Sequence, residues 1–193
     1  MADDPLDTLD PDLVSRLRRL RLLALDVDGV LTDGRMTYAA SGWSSNWARM
    51  ESKSFHVHDG LGLSLLLKTP VEVALLSARK SAVVRWRARD LGIRHVVQDV
   101  RDKGAALRGL AKRLRTDLTA VAYMGDDLHD LPALMLAGVA FAPHDARPEV
   151  REEADYVTSR RAGRGAVREV VELIMRAQGT WQAAIDRYRG QAK

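Results

Sequence analysis

The sequence predicts an α/β domain, a Rossmann-like parallel sheet with helices on both faces. Three observations carry this. Apolar runs of strand length recur at residues 22–27, 71–76, 120–124 and 139–142. Segments with helical apolar spacing alternate with them. Small and acidic residues follow the runs directly: Asp26-Val27-Asp28-Gly29, Ser77-Ala78-Arg79 and Gly125-Asp126-Asp127. Continuous apolar runs suit strands buried on both faces. In such sheets ligands lie beyond the carboxyl ends of the strands.

The elements follow in order. Residues 10–20 read as a short amphipathic helix, and 22–27 as the first strand. Two extended runs, 31–38 and 50–57, flank a Gly/Ser/Trp-rich turn and read as a hairpin. Asp59 is placed to cap a helix that runs to Lys68, with Leu61, Leu65 and Leu66 apolar, and Pro70 ends it. The strand at 71–76 leads to a helix that starts at Ser81 and closes at Gly92. A short strand at 95–97 precedes an amphipathic helix at 103–114. The strand at 120–124 runs into Gly125-Asp126-Asp127, then a helix at 131–136 with Pro132 in its first turn. A strand at 139–142, a helix at 148–154, a strand at 156–157 and helices at 165–177 and 181–188 complete the chain. This divides it into a leader (1–20), one main domain (21–178, with a hairpin flap at about 31–57) and a helical tail (179–193).

Bulk properties narrow the function. At 193 residues and 46% hydrophobic, the chain can bury one sizeable core. It has no cysteine, which excludes thiol catalysis and Cys-type zinc sites. No apolar run reaches membrane-spanning length. Residues 1–12 are acidic and lack a signal-type apolar core, so a cytoplasmic location is expected. The net charge is +4. Within the basic stretch from Arg85 to Arg115, Arg85, Arg87, Arg89, Lys112 and Arg113 fall on helix faces with few aromatics between them, which argues against nucleic acid. A basic surface suits a small anionic substrate.

The strand ends gather Asp26, Asp28, Ser77, Lys103, Asp126 and Asp127 at one edge. Carboxylates without His or Cys favour a hard cation, Mg²⁺ above all. A lysine and a serine can hold phosphate oxygens. Phosphoryl transfer needs an in-line nucleophile, charge neutralisation and an acid for the leaving oxygen. An aspartate can be that nucleophile, and a second carboxyl two residues on can move the proton.

These residues carry a resemblance. Asp26-Val27-Asp28-Gly29-Val30, Ser77, Lys103 and Gly125-Asp126-Asp127-Leu128-His129-Asp130 resemble, in order and spacing, the four motifs of the haloacid dehalogenase superfamily. Leu31-Thr32-Asp33-Gly34, Phe55 through Gly62, Ser77-Ala78-Arg79-Lys80 and Gly163 through Glu169 are further similar to the 3-deoxy-D-manno-octulosonate (KDO) 8-phosphate phosphatases, a capless and tetrameric family. The resemblance implies no large cap domain. It implies Asp26 as nucleophile and Mg²⁺ ligand, and Asp28 as acid/base with its backbone carbonyl on the metal. Asp126 would be a further metal ligand, with Gly29, Ser77 and Lys103 around the phosphoryl group. Asp127 or Asp130 would orient metal-bound water or Lys103. Arg79 would meet the sugar acid's carboxylate, and Arg164 would reach the substrate in its own or a neighbour's site. It further implies a homotetramer with hairpins at the interface.

The sequence departs from that family in four places. Ser77-Ala78 stands for Thr-Gly and keeps the hydroxyl. His58 stands where the family commonly has Arg. The hairpin turn is longer and carries Trp43 and Trp47, and the leader lies outside the match. A sialic-acid-type 9-phosphate is the alternative substrate. A non-catalytic assembly module and a phospho-acceptor domain are the alternatives of another class. Intact Asp26, Asp28, Lys103 and Asp126 argue against the first, and the Asp-x-Asp spacing against the second.

Overall fold

The computed structural model describes residues 4–41 and 48–190, the side chains of 39–41 and 48–50 excepted. In chain order the elements are α1 (Pro11–Arg19), β1 (Leu22–Leu25), β2 (Thr37–Ser41), β3 (Ala48–Ser52), α2 (Val57–Leu66), β4 (Glu72–Leu76), α3 (Ala82–Leu91), β5 (His95–Val97), α4 (Lys103–Leu114), β6 (Val121–Met124), α5 (Leu131–Leu134), β7 (Val139–Ala142), α6 (Pro148–Glu153), β8 (Tyr156–Val157), α7 (Ala166–Ala177) and α8 (Trp181–Tyr188). Six parallel strands form one sheet in the order β5-β4-β1-β6-β7-β8. The chain builds outward from β1 to β4 and β5, then crosses back to β6, β7 and β8. β1 is therefore the switch point, where a crevice opens at the carboxyl edge.

Strand alternation splits the core into two layers. Leu23 and Leu25 of β1, Val73 and Leu75 of β4, and Ala122 and Met124 of β6 face one layer, which α1, α2, α7 and α8 cover. Leu22 and Ala24, Ala74 and Leu76, and Val121 and Tyr123 face the other, with Leu107 and Leu110 of α4 packed on them. Helix α7 buries Val167, Val170, Val171 and Ile174, an i, i+3, i+4, i+7 stripe. The segment before β1 joins this core. Leu13 and Leu17 of α1 are buried, and Arg16 donates to Asp155 (2.8 Å) and to the Gly138 carbonyl (2.9 Å). Among the described residues no helix is long and apolar enough to cross a membrane.

Two local expectations change. The hairpin arms were expected at 31–38 and 50–57; the paired strands are Thr37–Ser41 and Ala48–Ser52. The chain turns directly after the first strand instead. Gly29 takes φ +95°, and the N–H groups of Leu31 and Thr32 both donate to the Val27 carbonyl (3.0 Å). Leu31 and Thr32 are thereby buried against the core rather than extended. Trp43 and Trp47 lie outside the described residues. Asp59 does not cap its own helix. That helix begins at Val57, where His56 Nδ1 accepts from the His58 N–H (3.3 Å). The buried Asp59 carboxylate instead accepts from the Gly165 N–H (3.1 Å) and the Arg168 N–H (2.8 Å). It caps α7 from across the fold, which the sequence pattern of one helix cannot reveal. Burial pushes its carboxyl above the ordinary value.

Candidate active site

The edge of β1 is built by parity. Residues 22, 24 and 26 share one side of the strand, so Asp26 falls on the layer of α4 and Tyr123. Lys103, the first residue of α4, is 1% exposed and meets it there: Nζ lies 2.8 Å from Asp26 Oδ1 and 2.5 Å from Asp130 Oδ1. Asp102 caps the helix, so Lys103 is free to turn inward. The Tyr123 hydroxyl donates to the same Asp130 oxygen (2.6 Å), and the N–H groups of Asp126 and Asp127 donate to Asp130 Oδ2 (3.0 and 3.2 Å). Asp130 thus accepts four hydrogen bonds and fixes Lys103 against Asp26. Burial alone would raise the Asp26 pKa; His129 and Lys103 beside it hold the carboxyl below its ordinary value. Asp26 and Asp130 in turn raise the His129 imidazole.

Asp28 is held from the other side. Lys53, just past β3, forms an ion pair with Asp28 Oδ1. Its Nζ also lies 3.3 Å from Glu51 Oε1 and 3.4 Å from Met36 Sδ. Glu51 Oε2 accepts from the Ser81 hydroxyl (2.6 Å), the cap of α3. Sequence reasoning missed Lys53, Glu51 and Tyr123. An extended run puts residues 51 and 53 on one face, and that spacing was the available signal.

Two of the remaining carboxylate oxygens, on Asp26 and Asp126, are candidate cation ligands. Asp26 Oδ2, Asp28 Oδ2 and Asp126 Oδ1 are buried and have no hydrogen-bond partner among the described residues. Unpaired buried carboxylate oxygens are costly. Their environment pushes Asp126 up to about 8, through burial and the nearby Asp26 and Asp130 charges. A hard divalent cation relieves this strain, and the all-oxygen donor set matches Mg²⁺. Gly29 makes the room: a Cβ there would stand 2.0 Å from Asp126 Oδ2. Ligand atoms of Asp26, His129 and Asp130 also lie within 4.8 Å of one another. That trio fits a cation less well, because Asp130's oxygens are already occupied by four donors.

The other expected residues separate. Ser77, after β4, is 1% exposed, and its Oγ accepts from the Arg79 N–H (3.1 Å). Arg79 Nε stands 3.8 Å from Asp28 Oδ2 with its side chain largely exposed. Asp127 turns away and accepts from the Leu128 N–H (2.7 Å), while Asp130 reaches Lys103. Arg164 lines a cavity of about 820 Å³ with His56, His58, Arg160 and Arg168. Asp26, Asp28, Ser77, Lys103 and Asp126 are not among its walls. The loop carrying Arg164 nevertheless touches the β1 edge, since the Gly163 N–H donates to the Val30 carbonyl (3.0 Å).

Comparison with known proteins agrees with this geometry. A family described as haloacid dehalogenase-like hydrolase matches residues 76–170. The chain is 40% identical over 181 residues to the 3-deoxy-D-manno-octulosonate 8-phosphate phosphatase of Escherichia coli K12, covering 94% of this chain and 90% of that protein. The crystal structure of such a phosphatase from Moraxella catarrhalis, in complex with magnesium, phosphate and KDO, superposes with a TM-score of 0.85 at 40% identity, covering 92% and 98% of the two chains. A cobalt-bound form from Haemophilus influenzae gives 0.82 at 39% identity, covering 92% and 99%. The chain belongs to the haloacid dehalogenase-like hydrolases, in the family of the 3-deoxy-D-manno-octulosonate 8-phosphate phosphatases.

Proposed function

We propose that the protein is a Mg²⁺-dependent phosphomonoesterase that converts KDO 8-phosphate to KDO and phosphate. One observation carries the reading. Asp26 and Asp28 each give one oxygen to a different buried lysine and leave the other without a hydrogen bond at the carboxyl edge. Two carboxylates with separate supports suit two separate roles.

Asp26, held ionised, attacks phosphorus, and the bond to the sugar's terminal oxygen breaks. Asp28 gives that oxygen its proton. The resulting aspartyl-phosphate is cleaved by water, whose proton Asp28 takes back. Lys103 and Ser77 neutralise and position the phosphoryl oxygens, and Gly29 lets them approach the backbone. Asp26, Asp126 and the Asp28 carbonyl would hold Mg²⁺, which supplies charge neutralisation at the phosphoryl group. Arg79, beside Asp28, is the cation for the sugar acid's carboxylate. Arg164 serves a site shared between subunits.

A homotetramer with the hairpins at its interface supports that sharing. The β2–β3 ribbon forms a sheet apart from the main one, and an isolated two-stranded ribbon is marginal by itself. Light scattering tests the assembly, and a fully active monomer would count against it. Phosphate release from KDO 8-phosphate and from a nine-carbon sialic-acid-type 9-phosphate, with Mg²⁺ and after chelation, tests the reaction. The eight-carbon ester is expected to be turned over faster and only with metal. Activity on neither ester would refute the reading.

A further inference from the structure

We infer that Lys53 is a positioning residue for Asp28. It would select which carboxylate oxygen faces the leaving group. The inference rests on Asp28 being the proton donor.

Lys53 has 0% side-chain exposure, yet no apolar function explains a buried ammonium. Its ammonium donates to Asp28 Oδ1 and to Met36 Sδ at 3.4 Å, and it forms an ion pair with Glu51 Oε1 at 3.3 Å. All three come from the hairpin or from Asp28 itself. The ammonium is thus engaged with Asp28 and the insert, whereas Lys103 pairs with Asp26 and Asp130. Its effect falls on Asp28. With Oδ1 engaged, the carboxylate cannot rotate without breaking a charge-assisted bond. Oδ2 is the oxygen left unpartnered and buried, with Arg79 Nε still 3.8 Å away. A proton carried on Oδ2 has one direction to go.

Glu51 completes the device. It grips Lys53 with one oxygen and the Ser81 hydroxyl with the other (2.6 Å). Ser81 caps α3 through the Val84 N–H (3.3 Å), so the hairpin is tied to the helix that follows β4. A chain of three charged groups thus runs from α3 through the hairpin to the proposed acid.

A leaving-group comparison tests this. An alkoxide needs a proton to depart, and 4-nitrophenolate does not. kcat/KM reports steps up to leaving-group departure. Lys53→Met should lose about 100-fold in kcat/KM on KDO 8-phosphate, within the range of general acid catalysis. On 4-nitrophenyl phosphate it should lose less than about threefold, because no proton transfer is required. Glu51→Gln should repeat the pattern at about tenfold, since the ion pair that braces Lys53 loses its charge. It decides the matter if Lys53→Met fails to fold. Equal losses on both esters, or no loss on either, would overturn the inference. Asp28→Asn, measured in parallel, separates the two layers of argument. If it shows the leaving-group pattern and the Lys53 and Glu51 variants do not, the positioning role falls and the proton donor stands. If Asp28→Asn itself lacks the pattern, the proton-donor reading has failed and the inference falls with it.

Discussion

Asp26 and Asp28 stand two residues apart, and each pairs one oxygen with a buried lysine. The lysines come from different parts of the molecule. Lys103 opens α4 and reaches Asp26 through the sheet's own architecture, with Asp130 and Tyr123 bracing it. Lys53 is brought by the hairpin inserted after β1, and its brace, Glu51, belongs to the same insert. The contrast teaches a division of labour. The parallel scaffold fixes the group that would meet phosphorus, and the insert fixes the group that would meet the leaving alcohol. On that reading, change in the hairpin would alter leaving-group handling without disturbing the proposed nucleophile.

The sharpest way to break this contrast is at the proposed nucleophile. Asp26→Asn should lower kcat by about a thousandfold or more on every ester, alkyl or aryl, because no other group forms the covalent bond. Near-normal turnover would remove Asp26 from that role. Circular dichroism should show the fold retained. Lys103→Met comes next. It leaves Asp26 and Asp130 as uncompensated buried charges, so about 3–5 kcal/mol of stability should be lost. Urea unfolding measures this, and a loss below about 1 kcal/mol would mean the pair is not buried as described.

Gly29→Ala probes the cation site between the two aspartates. It adds a Cβ 2.0 Å from Asp126 Oδ2 at a φ of +95°. The Mg²⁺ concentration for half-maximal activity should rise about tenfold or more, equivalent to about 1.4 kcal/mol. An unchanged Mg²⁺ requirement would take Asp126 out of the metal site.

The smallest effect is on pH. The folded protein without metal holds Asp126 up at about 8 against 3.8. The raised value means the native state favours the neutral carboxyl. Stability from this group is complete below about pH 4 and is lost as pH rises through about 8. The metal-free Tm should therefore fall between about pH 6 and pH 8, and Mg²⁺ should raise Tm more at the higher pH. A Mg²⁺ effect independent of pH would contradict the placement of Asp126.

Much of the scaffold side was legible from sequence. The apolar runs marked four of the six strands of the main sheet, short strands were read at the other two, and the acidic and hydroxyl residues after the runs marked its working edge. Lys103 stood out because a cation opens a helix whose N-terminus favours anions. The insert side was not legible. The hairpin's arms were displaced because alternation alone does not reveal that the Val27 carbonyl captures the chain as it leaves β1. Nothing in the sequence pattern singles out Lys53 and Glu51 within the hairpin arm. Asp59 looked like a local cap because capping signals are read along one helix, whereas its acceptor geometry joins α2 to α7.

By itself the sequence determined what local chemistry can determine: the parallel α/β class, the carboxyl edge and the carboxylate and lysine set that meets there. Strand period and helix spacing act over a few residues, so they survive without knowledge of the fold. Only the tertiary structure decided which lysine serves which aspartate, which carboxylate oxygens remain free, and that Arg164 lines a separate cavity. Those outcomes depend on side chains that meet across 25 residues between Asp28 and Lys53 or 106 between Asp59 and Gly165. Such meetings are set by packing and by the pairing of buried charges, and no sequence window contains both partners.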